Sequence, residues 1–156
     1  LQKEHAKSPK LPLHDSERLQ LRSAKIKLSD IKNMESDKLA SLIGISKDRA
    51  RELVGLAVFQ SIPSVGPKLA HNLVVDLGFS DVSELRDKKG EELVHELEKK
   101  YGVWMDPCVE DVMRCAVHHA KHPESDKNWW DFTEERKSYR EKYGYPEDRP
   151  TKAWHE

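Results

Sequence analysis

The sequence predicts an all-α protein, a compact helical bundle, and three observations carry that prediction. From residue 29 to residue 121 the apolar positions recur with a helical period, in short segments divided by Gly, Pro and Ser. No run alternates apolar and polar residues as a half-buried strand would. A pattern also repeats at an offset of 20 residues, positions 39–54 against positions 59–74. A chain of 156 residues is long enough to bury one core. That core is modest, because 35% of the residues are charged and Leu, Ile, Val and Phe supply only 35 of 156.

The elements follow in order. Residues 1–14, with Pro9 and Pro12, read as a flexible, irregular arm. Asp15 or Ser16 caps a first helix to about Lys27, with Leu19, Arg22 and Ile26 at helical spacing; Ser29 and Asp30 offer a restart. Residues 15–57 form a first helical unit, 58–123 a second, and 124–156 an aromatic-rich extension. Gly78 ends one helix, and Ser80 or Asp81 caps the next. A helix over Glu91 to Lys99 buries Leu93, Val94 and Leu97. Asp106 caps another, with Pro107 in its first turn. Asp131 and Glu134 fit a capping box for a helix that runs towards Tyr143 and ends at Gly144.

Each copy of the repeat centres on a small–aliphatic–small triplet, Gly44-Ile45-Ser46 in the first and Ser64-Val65-Gly66 in the second. Ala50 or Ala70 stands four residues later, and two apolar residues follow a further gap. The spacing predicts two antiparallel helices joined by a very tight turn. Ile45 and Val65 plug the turn, and the alanines let the helices approach. Such a turn points unpaired backbone N–H groups outward together, a concavity suited to an anion. Lys47, Arg49 and Arg51 flank the first copy and Lys68 the second. A phosphate held by amides and one or two cations gives affinity without sequence reading. The candidate nucleic-acid-binding residues are therefore Gly44, Ile45, Ser46, Lys47, Arg49 and Arg51, with Ser64, Val65, Gly66 and Lys68.

These residues resemble the helix-hairpin-helix motif, although Ser46 and Ser64 each stand where the motif has glycine. The order of IPSVGPKLA, LGFSDVSEL, DPCVEDVMRCAV and Trp129-Trp130 resembles the bacterial pathogenicity-locus family of small helix-hairpin-helix proteins, over roughly residues 58–131. That family is named for a genomic neighbourhood. The resemblance implies tandem helix-hairpin-helix units that bind the DNA phosphate backbone without sequence preference, with a role accessory to repair or recombination.

Other function classes are less well supported. No apolar run reaches the length of a membrane span and no signal-peptide pattern opens the sequence, so a cytoplasmic protein without a membrane partner is expected. Cys108 and Cys115 lie seven residues apart on one helix, about 10.5 Å, too far for a shared zinc or a disulfide. With His118, His119 and His122 nearby, the reading is small packing residues and no metal or other cofactor. Ser64 has no local base, and Asp106, Glu110 and Asp111 suit a helix N-terminus, so no catalytic residue is assigned. The extension holds seven of the eleven aromatics, Trp129, Trp130, Phe132, Tyr139, Tyr143, Tyr145 and Trp154, among Arg136, Lys137, Arg140 and Lys142. Residues 1–76 carry 13 Lys/Arg against 9 Asp/Glu, and residues 77–156 carry 14 against 19, which favours a nucleic-acid face on the first half. The sequence isoelectric point of about 6.8 favours the competing reading, a protein-interaction adaptor that uses the aromatic extension.

Overall fold

Capping residues set where the helices begin. The computed structural model describes residues 8–156. Helix α1 spans Asp15–Ser23, α2 Ser36–Ile43, α3 Lys47–Phe59 and α4 Pro67–His71. Helix α5 spans Gly90–Tyr101, α6 Pro107–Lys121 and α7 Thr133–Tyr143. Short 3-10 turns cover Leu28–Asn33, Val82–Leu85 and Trp129–Phe132, and α4 runs directly into a π-turn, Asn72–Asp76. Among the described residues the only β pairing is an isolated parallel bridge between Trp104 and Ala153. The regular structure of the described residues is all-helical. No described helix is long and apolar enough to cross a membrane.

Several local expectations match the structure. Asp106 accepts the Cys108 N–H at 2.8 Å while Pro107 opens α6. Helix α5 buries Leu93, Val94 and Leu97. Gly78 and Gly144 adopt positive φ where their helices stop, and Asp81, not Ser80, caps the turn that follows Gly78. Ala50 and Ala70 are fully buried, and Val65 is 1% exposed. The core is one continuous cluster from Leu11 to Ala120. Helix α3 packs on α2 and α4, α5 packs on α6, and α7 and the Trp129–Phe132 turn also pack on α6.

Other expectations are corrected. Helix α1 ends at Ser23 rather than near Lys27, because Lys25 turns the chain at φ 59°. Its buried positions are Glu17 and Leu21, while Leu19 faces solvent. The second copy of the repeat has no first helix of its own. Helix α3 closes the first copy and opens the second, so the boundary expected at residue 57 falls inside one continuous helix. Of the expected arm, residues 1–7 lie outside the described residues. Residues 8–14 are irregular, as expected, yet docked: Leu11 is buried, and the Gln60 amide brackets the Lys10 backbone with two bonds of 2.9 Å.

Arg49 completes this docking. Its guanidinium forks onto the Glu17 carboxylate at 2.9 Å through Nε and Nη2, reaches Glu52 at 3.3 Å, and donates to the Pro12 carbonyl. The Arg49 hydrogen bonds hold the Glu17 carboxyl down at about 2, from an ordinary 4.5. A depressed folded-state pKa means the unfolded chain binds the proton first as pH falls. The contribution is therefore complete above about pH 5 and is lost as pH falls towards 2. Urea midpoints recorded from pH 7 to pH 3 are expected to fall for the wild type. The part of that slope owed to this pair should vanish in Glu17→Gln.

The C-terminal extension is held by the same device used three times. Helices α5 and α6 bury three carboxylates, Glu98, Glu110 and Asp111, and the extension supplies an arginine to each. Arg136 meets Asp111 at 2.6 Å, with Thr133 Oγ1 donating to the other carboxylate oxygen at 2.9 Å. Arg140 meets Glu110 at 2.9 Å, and Arg149 forks onto Glu98 at 3.1 Å on both arms. The guanidinium of Arg149 also lies 3.8 Å from the Tyr145 ring centre. Asp111 and Glu110 are thus buried ion-pair partners, not the solvated helix-dipole charges their positions suggest.

Candidate nucleic-acid interface

The two turns of the repeat use opposite residues for the same jobs. In the first, Gly44 takes the left-handed conformation at φ 67° and Ser46 caps α3, its Oγ accepting the Arg49 N–H at 3.0 Å. In the second, Ser64 takes the left-handed conformation at φ 73° and Gly66 stands at the cap of α4, followed by Pro67. A serine there costs backbone energy that glycine would not. Its hydroxyl is put to use: Ser64 Oγ accepts the Trp129 N–H at 2.9 Å and donates to Asn128 Oδ1 at 3.1 Å. The turn is thereby tied to the chain that leads into α7.

Gly66 has no internal reason to be glycine. Its φ is −93°, open to any residue, and a Cβ added there would meet no described atom within 4 Å. The N–H groups of Gly66, Lys68 and Leu69 find no acceptor among the described residues, and glycine offers no capping oxygen to the Leu69 amide. At the first turn, the Ser46 hydroxyl already occupies the amide equivalent to that of Leu69.

The cations divide. Lys68 is exposed and makes no ion pair among the described residues. Lys47 is likewise exposed at the start of α3. Arg51 is half-exposed and meets Asp48 at 3.0 Å. Arg49 is taken up by Glu17, Glu52 and Pro12, so its charge serves the fold and is not presented beside the turn. Ile45 and Val65 point into their turns and contribute backbone only.

Next to the second turn lies a cavity of about 480 Å³ that sequence reasoning missed. It is lined by Lys68 and Leu69 of α4, by Tyr101 and Met105, by Val109 of α6 and by Trp154. No local pattern could signal it, because its walls come from three separated segments, 64–72, 101–112 and Trp154. Cys108 also opens onto it and is exposed, contrary to the expectation that both cysteines pack inside. Partial desolvation and the neighbouring Asp106 carboxylate push the pKa of the exposed Cys108 thiol up, and burial pushes that of Cys115 up to about 11. His119 Nε2 bonds the Lys127 carbonyl at 2.8 Å, and His118 Nε2 bonds Ser125 Oγ at 2.9 Å. Among the described residues no three His, Cys, Asp or Glu side chains converge on a possible metal position.

Similarity to known proteins bears on the second turn more than on the first. The mitomycin resistance protein McrB of Streptomyces lavendulae is 33% identical over 61 residues, which cover 39% of this chain and 57% of that protein. The chain thus spans little more than half the length of that relative. No solved structure matches. The family model described as Pathogenicity locus (Cdd1) matches residues 50–138, from the first turn of α3 across the Gly66 turn and well into α7. That is more than half of the sequence, and it takes in the turn, the cavity walls on α4, α5 and α6, and the buried Asp111–Arg136 pair: the chain belongs to the pathogenicity locus family.

Proposed function

We propose that this protein binds DNA through the phosphate backbone, independently of sequence and without catalysis, with the Gly66 turn as the principal contact. The observation that carries this reading is the state of that turn. Three neighbouring N–H groups lack acceptors, Lys68 stands unpaired beside them, and the glycine is explained by nothing inside the fold. An anion approaching from outside accounts for all three, because a backbone without a side chain lets a phosphate oxygen close on the amides. The order of residues through this turn, read as a helix-hairpin-helix motif, leads to the same ligand. The Gly44 turn with Lys47 and Arg51 is the secondary contact, and Arg49 is left out because its charge is already paired.

The test is fluorescence anisotropy with labelled DNA at 50 and 200 mM salt. With two to four phosphate contacts, affinity should fall roughly 10- to 150-fold across that range. Gly66→Ala is the informative variant, since its methyl group enters open space and leaves stability unchanged. Weaker binding by folded Gly66→Ala, and loss of binding by Gly66→Glu, would locate the contact. No binding of any DNA at 50 mM salt would overturn the proposal.

A second reading, a protein-interaction adaptor, draws on Trp130 and Tyr143, which are 59% and 62% exposed on the extension. Trp130→Ala/Tyr143→Ala should leave DNA binding unchanged under the first reading.

A further inference from the structure

We infer that the cavity beside the Gly66 turn receives a single unpaired nucleobase of the strand whose phosphate that turn holds, so that the ligand is single-stranded or extrahelical rather than fully paired DNA. The inference rests on the phosphate reading above and goes beyond it by naming the state of the DNA. At about 480 Å³ the cavity is in the range of sites that enclose small ligands. Its lining joins two chemistries: Lys68 and the free Leu69 amide, which belong to the turn, and Met105, Val109 and the aromatic side chains of Tyr101 and Trp154. A nucleotide joins the same two, a charged phosphate and a flat ring with apolar faces.

The two aromatic side chains are half-exposed, Tyr101 at 48% and Trp154 at 46%, and stand outside the buried core cluster. Neither is needed to close the core. Tyr101 is fixed by its hydroxyl, which donates to Asp76 at 2.6 Å, and Asn72 Nδ2 donates to the same carboxylate at 2.8 Å. Asp76 is therefore occupied and lies outside the lining. Asp106, the carboxylate among the lining residues, accepts from the Cys108 amide. Stacking on such rings does not depend on which base is present, in keeping with sequence-independent binding. A paired duplex would have to unstack a base to fill the site, which penalises it.

Three labelled ligands separate the parts of this claim by anisotropy: a 12-residue oligothymidylate, the same backbone without bases, and a blunt duplex of equal length. The oligothymidylate should bind about 5- to 150-fold more tightly than the abasic strand. Trp154→Ala should remove that advantage and leave the abasic affinity unchanged. A second measurement needs no substitution. Cys108 opens into the cavity while Cys115 is buried, so maleimide labelling mapped by peptide mass reports on the cavity alone. The oligothymidylate should protect Cys108, and the abasic strand and the duplex should not. Equal affinities for the strands with and without bases, or equal protection by the duplex, would overturn the base pocket and leave phosphate binding standing. Failure of both strands to bind would overturn the phosphate reading and the pocket together.

Discussion

Arg136→Ala is expected to destabilise the protein by about 3–5 kcal/mol in denaturant titrations at neutral pH, although Arg136 lies in a helix with no buried residue of its own. The cost arises at its partner. Asp111 is 0% exposed, and without the guanidinium 2.6 Å away its charge would keep only the Thr133 hydroxyl. A buried carboxylate stripped of its cation pays its desolvation cost uncompensated. The same logic predicts partial rescue: adding Asp111→Leu to Arg136→Met removes both charges and should recover most of the loss. Lys137→Ala, one residue along, is the control. Its contact with Glu134 is 3.9 Å long between exposed side chains, and its loss should cost under about 1 kcal/mol. Similar losses for Arg136→Ala and Lys137→Ala would show that the extension is not held by this pair.

Gly90→Ala should be the most damaging single methyl group in the molecule. A Cβ at Gly90 would lie 2.5 Å from Arg114 Cγ, 2.8 Å from its backbone N and 2.9 Å from its Cα. Two of those atoms are main chain, so no rotamer change makes room, and α5 must move away from α6. That displacement would strain the Arg114 pair with Glu91, which crosses from α6 to α5 at 3.3 Å. A loss of about 3 kcal/mol or more in the unfolding free energy is expected, at the upper end of overpacking costs. Gly66→Ala, with its open Cβ, should be neutral in the same titration. Two glycine-to-alanine changes thus separate a glycine required by helix contact from one the fold does not require.

What could be read from the sequence was what neighbouring residues decide. The Asp106–Pro107 start of α6, the Gly78 and Gly144 stops, and the buried faces of α5 and the repeat alanines depend on spacings of a few positions. What could not be read depends on residues far apart. Leu19 and Leu21 are equally apolar, and the choice between them follows from Glu17, which must face Arg49 across 32 residues. Glu110 and Asp111 have the appearance of ordinary first-turn acids until Arg136 and Arg140 arrive 25 and 30 residues later. At the candidate site, the turn residues and Lys68 were legible, whereas Arg49 could not be told apart from Arg51. The cavity had no local signature, since Tyr101 and Trp154 come together only through the Trp104–Ala153 bridge and the docking of the extension.

Helix α3 begins at the first turn and stops five residues before Ser64 of the second, and this makes it a ruler. Its thirteen residues at the helical rise span about 20 Å, a length that cannot be adjusted by a hinge. At the duplex spacing of about 3.4 Å per nucleotide along one strand, that distance corresponds to roughly six steps. A ligand shorter than this can engage either turn but not both at once. If both turns contribute, affinity plotted against oligonucleotide length should therefore rise in a step, not as a smooth slope, with the step near six nucleotides for stacked DNA and at fewer for a stretched single strand.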